Sequence, residues 1–153
     1  MAGKLFEELE VGQTYQHQPG RTITESDNVF FTCLTMNPQP LHLDFHAAQK
    51  AEFGKPLVNS LLTLGIAVGL SVGETTLGTT VGNLGFEKVE FPKPVFHGDT
   101  IRVRTEIVRT RVSKSRTDSG IVTFRHVGLN QRDEEVCICV RNGLMLLRPA
   151  DKA

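Results

Sequence analysis

The sequence predicts an α+β fold, with a single domain over residues 1–153 in which a curved antiparallel sheet wraps around a central apolar helix. Helical spacing is confined to the first half of the chain, and one of its helices is apolar on nearly all sides. From Gly78 onward, apolar and polar residues alternate with the period of two that is typical of strands. The length suits one domain with one core.

The first fifty residues predict an edge strand followed by short helices. Thr14–Ile23 is a short strand interrupted by a Pro-Gly pair. Thr24 and Asp27 have the spacing of a capping box, which predicts a helix start there. The Asn37-Pro pair ends this helix, and Asp44 is placed to cap a second one.

Leu57–Val72 is the longest apolar stretch and predicts the central helix. It falls short of the ~20 residues that span a bilayer, so we expect a buried core helix, the most buried element of the fold. Gly65 and Gly69 lie four residues apart within it. Glycine is a poor helix former, which suggests that the floor of the sheet approaches closely on that side.

The second half predicts a meander of long strands. Its segments are Gly78–Phe91, broken by glycines, then Thr100–Val112, Ile121–Leu129 and Val136–Leu147. Helices followed by such a meander, with one apolar helix to fill its concave face, correspond to the layout of a hot-dog fold.

The charge balance predicts neither a nucleic-acid partner nor a membrane partner. Lys plus Arg and Asp plus Glu number 17 each. The first residues lack the apolar core of a signal peptide. The cysteines are odd in number, and Cys137 and Cys139, two apart on one strand face, cannot easily bridge. We therefore expect a reduced protein with a cytoplasmic location.

The loop Asn37–Asp44 carries the first candidate for catalysis, His42. Two prolines stiffen the loop, and imidazole titrates near neutral pH, so His42 is suited to act as a general base. The alternative is a partly buried histidine that only binds a backbone carbonyl. His42 and His46 have the i, i+4 spacing of a zinc pair, but His42 precedes the Asp44 cap and no third ligand is placed nearby, so we expect no metal.

The start of the central helix is the second candidate, at Asn59 and Ser60. Unpaired amides at a helix N-terminus stabilise a developing anion. The alternative is that one of these residues is simply the N-cap, and the two interpretations are compatible because a cap satisfies only some of the amides.

Three ordered motifs resemble the MaoC-like dehydratases, or (R)-specific enoyl-CoA hydratases, over nearly the whole chain. They are Asn37–Asp44, Pro56–Ser60 and Phe91–Asp99. The resemblance implies the addition or removal of water across the double bond of an enoyl-CoA thioester. It implies that His42 is catalytic, that the Ser60 amide polarises the thioester carbonyl, and that the protein is a homodimer or a higher oligomer of dimers. It implies no cofactor besides the CoA thioester that is the substrate.

The chain departs from the family pattern at two places. Asn37 stands where the family has an aspartate, and Asn59-Ser60 replaces a His-Gly pair. Asn37 either orients the water through its amide, leaving His42 as the sole base, or a carboxylate from Asp44 or Glu74 takes over. The sequence of the loop also resembles that of a subgroup linked to branched dicarboxylic acyl-CoAs of the itaconyl, mesaconyl and methylmalyl kind. Asn59 and Asp44 are our candidates for substrate contacts.

Basic residues cluster on or beside one predicted strand. They are Arg102, Arg104, Arg109, Arg111, Lys114 and Arg116. Such a cluster is either a solvated strand face or a surface that binds the phosphates of CoA, with Arg102 and Arg104 as the candidates.

Two other functions remain open on the sequence. A hot-dog thioesterase would direct water at the thioester carbonyl, but the absence of Asp and Glu from Asn59–Gly69 counts against it. A non-catalytic acyl-CoA-binding domain is kept open by the replacement at Asn37.

Overall fold

The computed structural model describes residues 3–149 as a five-stranded antiparallel sheet with one long helix on one face. The strands are β1 (Thr14–Thr22), β2 (Thr80–Glu90), β3 (Thr100–Val112), β4 (Ser119–Leu129) and β5 (Glu135–Leu146). Their order across the sheet is β1-β3-β4-β5-β2. The helices are α1 (Glu25–Leu34), α2 (Pro40–Leu43), α3 (Phe45–Ala48) and α4 (Ser60–Thr75), with a 3₁₀ turn at Phe6–Glu8. The predicted α+β class is confirmed.

Most predicted elements are present within a few residues of their expected bounds. The capping box at Thr24 is formed, because the Asp27 carboxylate accepts from the Thr24 amide at 2.8 Å and the Thr24 hydroxyl accepts from Asp27. The Pro-Gly interruption of β1 appears as a register shift between His17 and Arg21. The glycines of β2 likewise coincide with shifts in its pairing to β5.

The central helix α4 begins three residues later than predicted. Leu57 is extended and pairs with Phe96 in an isolated bridge, and the Val58 amide donates to the Val95 carbonyl at 2.9 Å. These two residues therefore belong to a short extended segment in front of the helix. No helix within residues 3–149 has the length and apolarity needed to cross a membrane.

The expectation that α4 is the most buried element is wrong for the single chain. Eight of the eleven residues of β4 are buried, against four of the sixteen in α4. The buried face of α4 consists of Thr63, Ala67, Ser71 and Thr75. Gly65 and Gly69 face away from the sheet, where a Cβ would meet nothing within 4 Å. The sheet covers one side of α4 only, so a close approach within this chain does not explain these glycines.

Three free cysteines are present, and two of them are buried on β5. Burial raises the pKa of the Cys137 thiol to about 12 and that of the Cys139 thiol to about 11. Both thiols therefore stay protonated near neutral pH.

A chain of hydrogen bonds crosses the face of the sheet that packs against α4. It runs from Arg141 Nε to His126 Nε2 at 2.9 Å, from His126 Nδ1 to the Thr105 hydroxyl at 2.7 Å, and from that hydroxyl to His17 Nε2 at 2.7 Å. It ends at the Glu74 carboxylate on α4, 2.6 Å from His17 Nδ1. We call these five residues the relay.

The direction of the relay is fixed by its first member, because an arginine only donates hydrogen bonds. His126 Nε2 must therefore accept, and its proton lies on Nδ1, which donates to Thr105. The Thr105 hydroxyl in turn donates to His17 Nε2, and His17 Nδ1 donates to Glu74. Burial lowers the pKa of His126 well below 6.5, and burial also lowers that of His17 although Glu74 opposes the effect. Both histidines are thus neutral in the relay.

We predict that the free energy of unfolding falls as the pH drops below about 6.5. The folded pKa of each buried histidine lies below its unfolded value of 6.5, so below that pH the unfolded chain binds more protons than the fold. The stabilisation is complete above the unfolded pKa and is lost on acidification. Urea unfolding between pH 7.5 and 5 measures the slope.

The matched variants are His126→Asn and His46→Asn, the second in an exposed position of α3. We expect a shallower pH slope for His126→Asn and the parental slope for His46→Asn. An unchanged slope in His126→Asn would contradict the assignment of neutral, buried imidazole to this position.

Candidate active site at the start of α4

His42 is held by a single backbone contact that fixes its tautomer. The residue lies on the one-turn helix α2 and is 9% exposed. Its Nδ1 is 2.8 Å from the Leu57 carbonyl oxygen. A carbonyl only accepts, so Nδ1 carries a proton, and in the neutral imidazole Nε2 is the nitrogen with the free lone pair. Within residues 3–149, Nε2 has no hydrogen-bond partner.

Asn28 on α1 holds the segment that leads into α4. Its Oδ1 accepts from the Asn59 amide at 2.8 Å, and its Nδ2 donates to the Leu57 carbonyl at 3.1 Å. The same Nδ2 lies 3.0 Å from His97 Nε2. Asn28 is fully buried, so these bonds form away from water. The Leu57 carbonyl therefore accepts from both Asn28 and His42.

A tight turn holds the other side of this segment. The Asp99 carboxylate accepts from the Phe96 amide at 2.9 Å, and Gly98 adopts a φ of +90°, a conformation that favours glycine. The turn carries Val95, whose carbonyl accepts from the Val58 amide. The Gly-Asp pair seen in the sequence thus shapes the strand that lies against Leu57 and Val58.

The first turn of α4 leaves one amide free. Asn59 is the N-cap, and its Oδ1 accepts from the Leu61 amide at 3.0 Å. The amides of Leu62 and Thr63 are directed to the Asn59 carbonyl, at 3.0 and 3.2 Å. The Ser60 amide has no acceptor within residues 3–149. It lies three residues from Leu57, the carbonyl that holds His42.

A cavity of about 280 Å³ opens beside this helix start. Its walls include Ser60, Thr63, Leu57, Val58, Phe91 and Val95. They are mostly apolar, and the Thr63 hydroxyl is buried without a hydrogen-bond partner. An apolar cavity with a few polar groups, lined by Ser60 and by the Leu57 that binds His42, has the composition expected of a small-molecule site.

The sequence profile of the family described as "MaoC like domain" matches residues 7–129. The chain belongs to this family. Curated relatives include β-methylmalyl-CoA dehydratase of Chloroflexus aurantiacus, 32% identical over 139 residues, and mesaconyl-CoA hydratase of Cereibacter sphaeroides, 30% identical over 152 residues. These matches cover 91% and 99% of the chain but only 39% and 43% of the relatives. The chain thus spans less than half the length of either one.

Solved structures with a similar backbone identify the fold of this MaoC-like domain. A Mycobacterium tuberculosis protein described as having a double hot-dog fold superposes with a TM-score of 0.86 at 24% identity. The match covers 99% of this chain and 46% of that one. At this identity the likeness shows the fold alone, and the fold is the predicted hot-dog.

Asn37 and Asp44 are both engaged locally in the MaoC-like domain. The Asn37 Oδ1 accepts from the Gln39 amide at 3.0 Å and shapes the proline loop, so only its Nδ2 remains as a donor. The Asp44 carboxylate caps α3 through the Ala47 amide at 2.9 Å, and the residue is exposed. Asp44 therefore caps α3 with one carboxylate oxygen, and its contact with the substrate stays a prediction.

Glu74 is at the wrong end of α4 to assist His42 in the same chain. It lies fourteen residues after Ser60, about 21 Å along the helix axis. It is also bound to His17 at 2.6 Å. Within a single chain, Glu74 is therefore too far from the start of α4 to replace the missing aspartate beside His42.

Arg102 and Arg104 lie on the face of the sheet opposite α4. From Ile101 to Ile107, the odd-numbered residues of β3 are buried on the side of the helix, and the even-numbered ones lie on the opposite face. Arg102 donates to Asp133 at 2.7 Å, while Arg109 and Arg116 pair with acidic side chains as well. Within one chain, the sheet separates Arg102 and Arg104 from the start of α4, which favours the solvated strand face over a CoA surface.

His42 and His46 are the two histidines with the i, i+4 spacing of a zinc pair. They lie on separate short helices, α2 and α3. Among the described residues 3–149, no three His, Cys, Asp or Glu side chains are grouped so that they could hold a metal ion.

Asn28 is the functional residue that sequence reasoning missed. It lies in the first turns of α1, where a polar residue usually faces solvent, and no local pattern indicates that it is buried. The contact depends on residues about thirty positions later in the chain. Only the tertiary structure brings them together.

We predict that Asn28→Asp weakens the fold at the start of α4. The new carboxylate keeps an acceptor for the Asn59 amide but turns an oxygen toward the Leu57 carbonyl, where Asn28 donates now. Losing a buried hydrogen bond and leaving its acceptor unsatisfied costs about 1–3 kcal/mol. Urea unfolding at pH 7.5 measures the loss.

Asn83→Asp serves as the control, because Asn83 is exposed on β2. We expect its free energy of unfolding to stay within about 0.5 kcal/mol of the parental value. If Asn28→Asp unfolds at the same urea midpoint as Asn83→Asp, the proposed anchoring by Asn28 is wrong.

Proposed function

We propose that this MaoC-like domain adds water to, or removes it from, the double bond of an enoyl-CoA thioester. One observation carries the proposal: the unprotonated Nε2 of His42 and the unpaired amide of Ser60 are held by the same short segment, Leu57–Asn59. The family and the names of its relatives, β-methylmalyl-CoA dehydratase and mesaconyl-CoA hydratase, support the same reaction class.

In the hydration direction, His42 is the general base. Its Nε2 takes a proton from water as the water oxygen bonds to the β-carbon of the thioester. The π electrons move toward the thioester oxygen, and the Ser60 amide donates to the enolate that forms, with the dipole of α4 behind it. The imidazolium then returns a proton to the α-carbon, which balances the reaction and restores the neutral base.

Asn37 completes this scheme as a donor. It cannot accept a proton, and its Oδ1 is occupied by the Gln39 amide, so its Nδ2 is the group left to bind the attacking water. His42 is then the sole base of the site. Asn59 acts as the cap that leaves the Ser60 amide free.

We infer a short dicarboxylic acyl group as the substrate class. Mesaconyl-CoA and β-methylmalyl-CoA, in the names of the two relatives, both carry a second carboxylate. The cavity beside α4, at about 280 Å³, has room for a short branched chain.

We predict that the parent protein hydrates mesaconyl-CoA without releasing free thiol and that His42→Ala loses this activity. Removal of one general acid–base group typically lowers kcat by about 10²–10⁴. The rate is followed by loss of enoyl absorbance, and free thiol is titrated in the same sample. Thiol release in place of hydration would identify a thioesterase, and binding without either reaction would identify a non-catalytic domain.

His46→Ala is the matched control, and we expect it to keep parental kcat because His46 is exposed and bound to none of the site residues. Asn37→Asp restores the family carboxylate and should preserve or shift activity. A His42→Ala variant that folds and retains more than a tenth of parental kcat would show that the base is another residue.

We also propose that two copies pair through the open edge of the sheet. The edge strand β2 exposes Val81, Leu84, Phe86 and Val89, which are 36–55% exposed, and Leu61 on α4 is 59% exposed. An apolar edge strand with unpaired backbone groups favours pairing with another strand. A second copy beside β2 would also meet the open glycine face of α4, which explains Gly65 and Gly69 where contacts within one chain do not.

We predict that Gly69→Leu breaks the dimer and leaves the fold intact. A Cβ at this position meets nothing within 4 Å in the single chain, so the added side chain disturbs only a surface that another copy covers. Sedimentation at micromolar protein should give a dimer for the parent and a 16.9 kDa monomer for the variant. A monomeric parent, or a dimeric variant, would contradict this interface.

A further inference from the structure

Arg141 is a buried cation that lacks a carboxylate partner. It lies on β5 with 4% of its surface exposed, and burial lowers its pKa. No carboxylate of residues 3–149 lies within salt-bridge distance of it. Its neighbours are the Phe124 ring, 4.9 Å from Cζ, and the neutral imidazole of His126. A buried charge without a partner is costly, so a ligand anion at this position would be strongly favoured.

The relay leaves the two terminal nitrogens of Arg141 available. Nε is used by His126, whose tautomer is fixed along the chain to Glu74. Nη1 and Nη2 have no hydrogen-bond partner within residues 3–149. Two parallel N–H groups of a guanidinium match the two oxygens of a carboxylate. His126 is therefore a positioning residue that turns this pair of donors in one direction.

Arg141 shares a sheet face with the start of α4. Cys137, four residues earlier on β5, packs with Val58 in the same buried cluster, and that separation is about 13 Å along the strand. His126 is paired across the sheet with Cys139, which lies between Arg141 and Cys137 on β5. Because Arg141 Nε binds His126, the arginine side chain is directed along β5 toward the cluster that contains Cys137. A long arginine side chain and a short acyl chain together cover a gap of this size.

We propose that Arg141 binds the distal carboxylate of a dicarboxylic acyl-CoA. This rests on the proposed function, in which the thioester carbonyl lies at Ser60 and the acyl chain extends over the sheet. The two ends of such a substrate are then held by the Ser60 amide and the Arg141 guanidinium. A monocarboxylic acyl-CoA leaves the arginine unpaired, which makes Arg141 the residue that selects the second carboxylate.

The test compares succinyl-CoA with butyryl-CoA, which has a methyl group where succinyl-CoA has a carboxylate. Both are saturated, so their binding requires no hydration and is measured by calorimetry. We expect the parent to bind succinyl-CoA at least tenfold more tightly. Arg141→Met should lose this preference and keep its affinity for butyryl-CoA, which also shows that it folds.

Arg125→Met is the matched control, because Arg125 lies on the neighbouring strand β4 and its ion-pair partner within residues 3–149 is Glu106, at 3.9 Å. It should keep the parental preference. If Arg141→Met fails to fold, Arg141→Lys replaces it, since lysine keeps the charge but lacks the paired donors, and its preference should fall below the parental one.

Three results would overturn the proposal: a parent without preference, an Arg141→Met variant that loses affinity for both thioesters equally, or an Arg141→Lys variant with the full parental preference. The second result would mean that Arg141 supports the fold or the dimer instead. Failure to hydrate mesaconyl-CoA would overturn the proposed reaction. The binding measurements would still show whether Arg141 selects the second carboxylate.

Discussion

The carbonyl oxygen of Leu57 is the acceptor on which the candidate site depends. It receives His42 Nδ1 at 2.8 Å and Asn28 Nδ2 at 3.1 Å. The first bond fixes which nitrogen of His42 is basic, and the second ties the same segment to α1. Because α4 begins three residues later, the position of the base and the position of the free Ser60 amide are set together.

The single chain leaves two groups of side chains without partners, and both have a place in the proposed function. We propose that a second copy covers the apolar edge of β2 and the open glycines of α4, and that the buried Arg141 guanidinium binds a ligand carboxylate. The relay connects Arg141 on β5 to Glu74 on α4.

The architecture was predictable because it depends on local patterns. The alternation of β3 and the capping box at Thr24 can be recognised from neighbouring residues alone. The burial of α4 was not, since its composition is apolar on nearly every side and only the curvature of the sheet decides which side is covered.

The sequence predicts which motif residues form the candidate site, but it does not predict the tertiary contacts that hold them. His42, Asn59 and Ser60 stand in recognisable motifs, and His42 on α2 is bound to the Leu57 carbonyl just before Asn59 and Ser60 begin α4. Their anchor, Asn28, and the buried Arg141 depend on contacts between distant parts of the chain. Arg141 sits in an alternating strand where a charged residue would ordinarily be assigned to the solvent face.

The tautomer of His42 tests the central claim most directly, because the proposed chemistry requires a basic Nε2. Nitrogen-15 NMR of the histidine-labelled protein near pH 8 distinguishes protonated from unprotonated ring nitrogens. We predict that His42 carries its proton on Nδ1 and that its Nε2 resonates as an unprotonated nitrogen. A neutral His42 with its proton on Nε2 would contradict the assignment of this residue as the base.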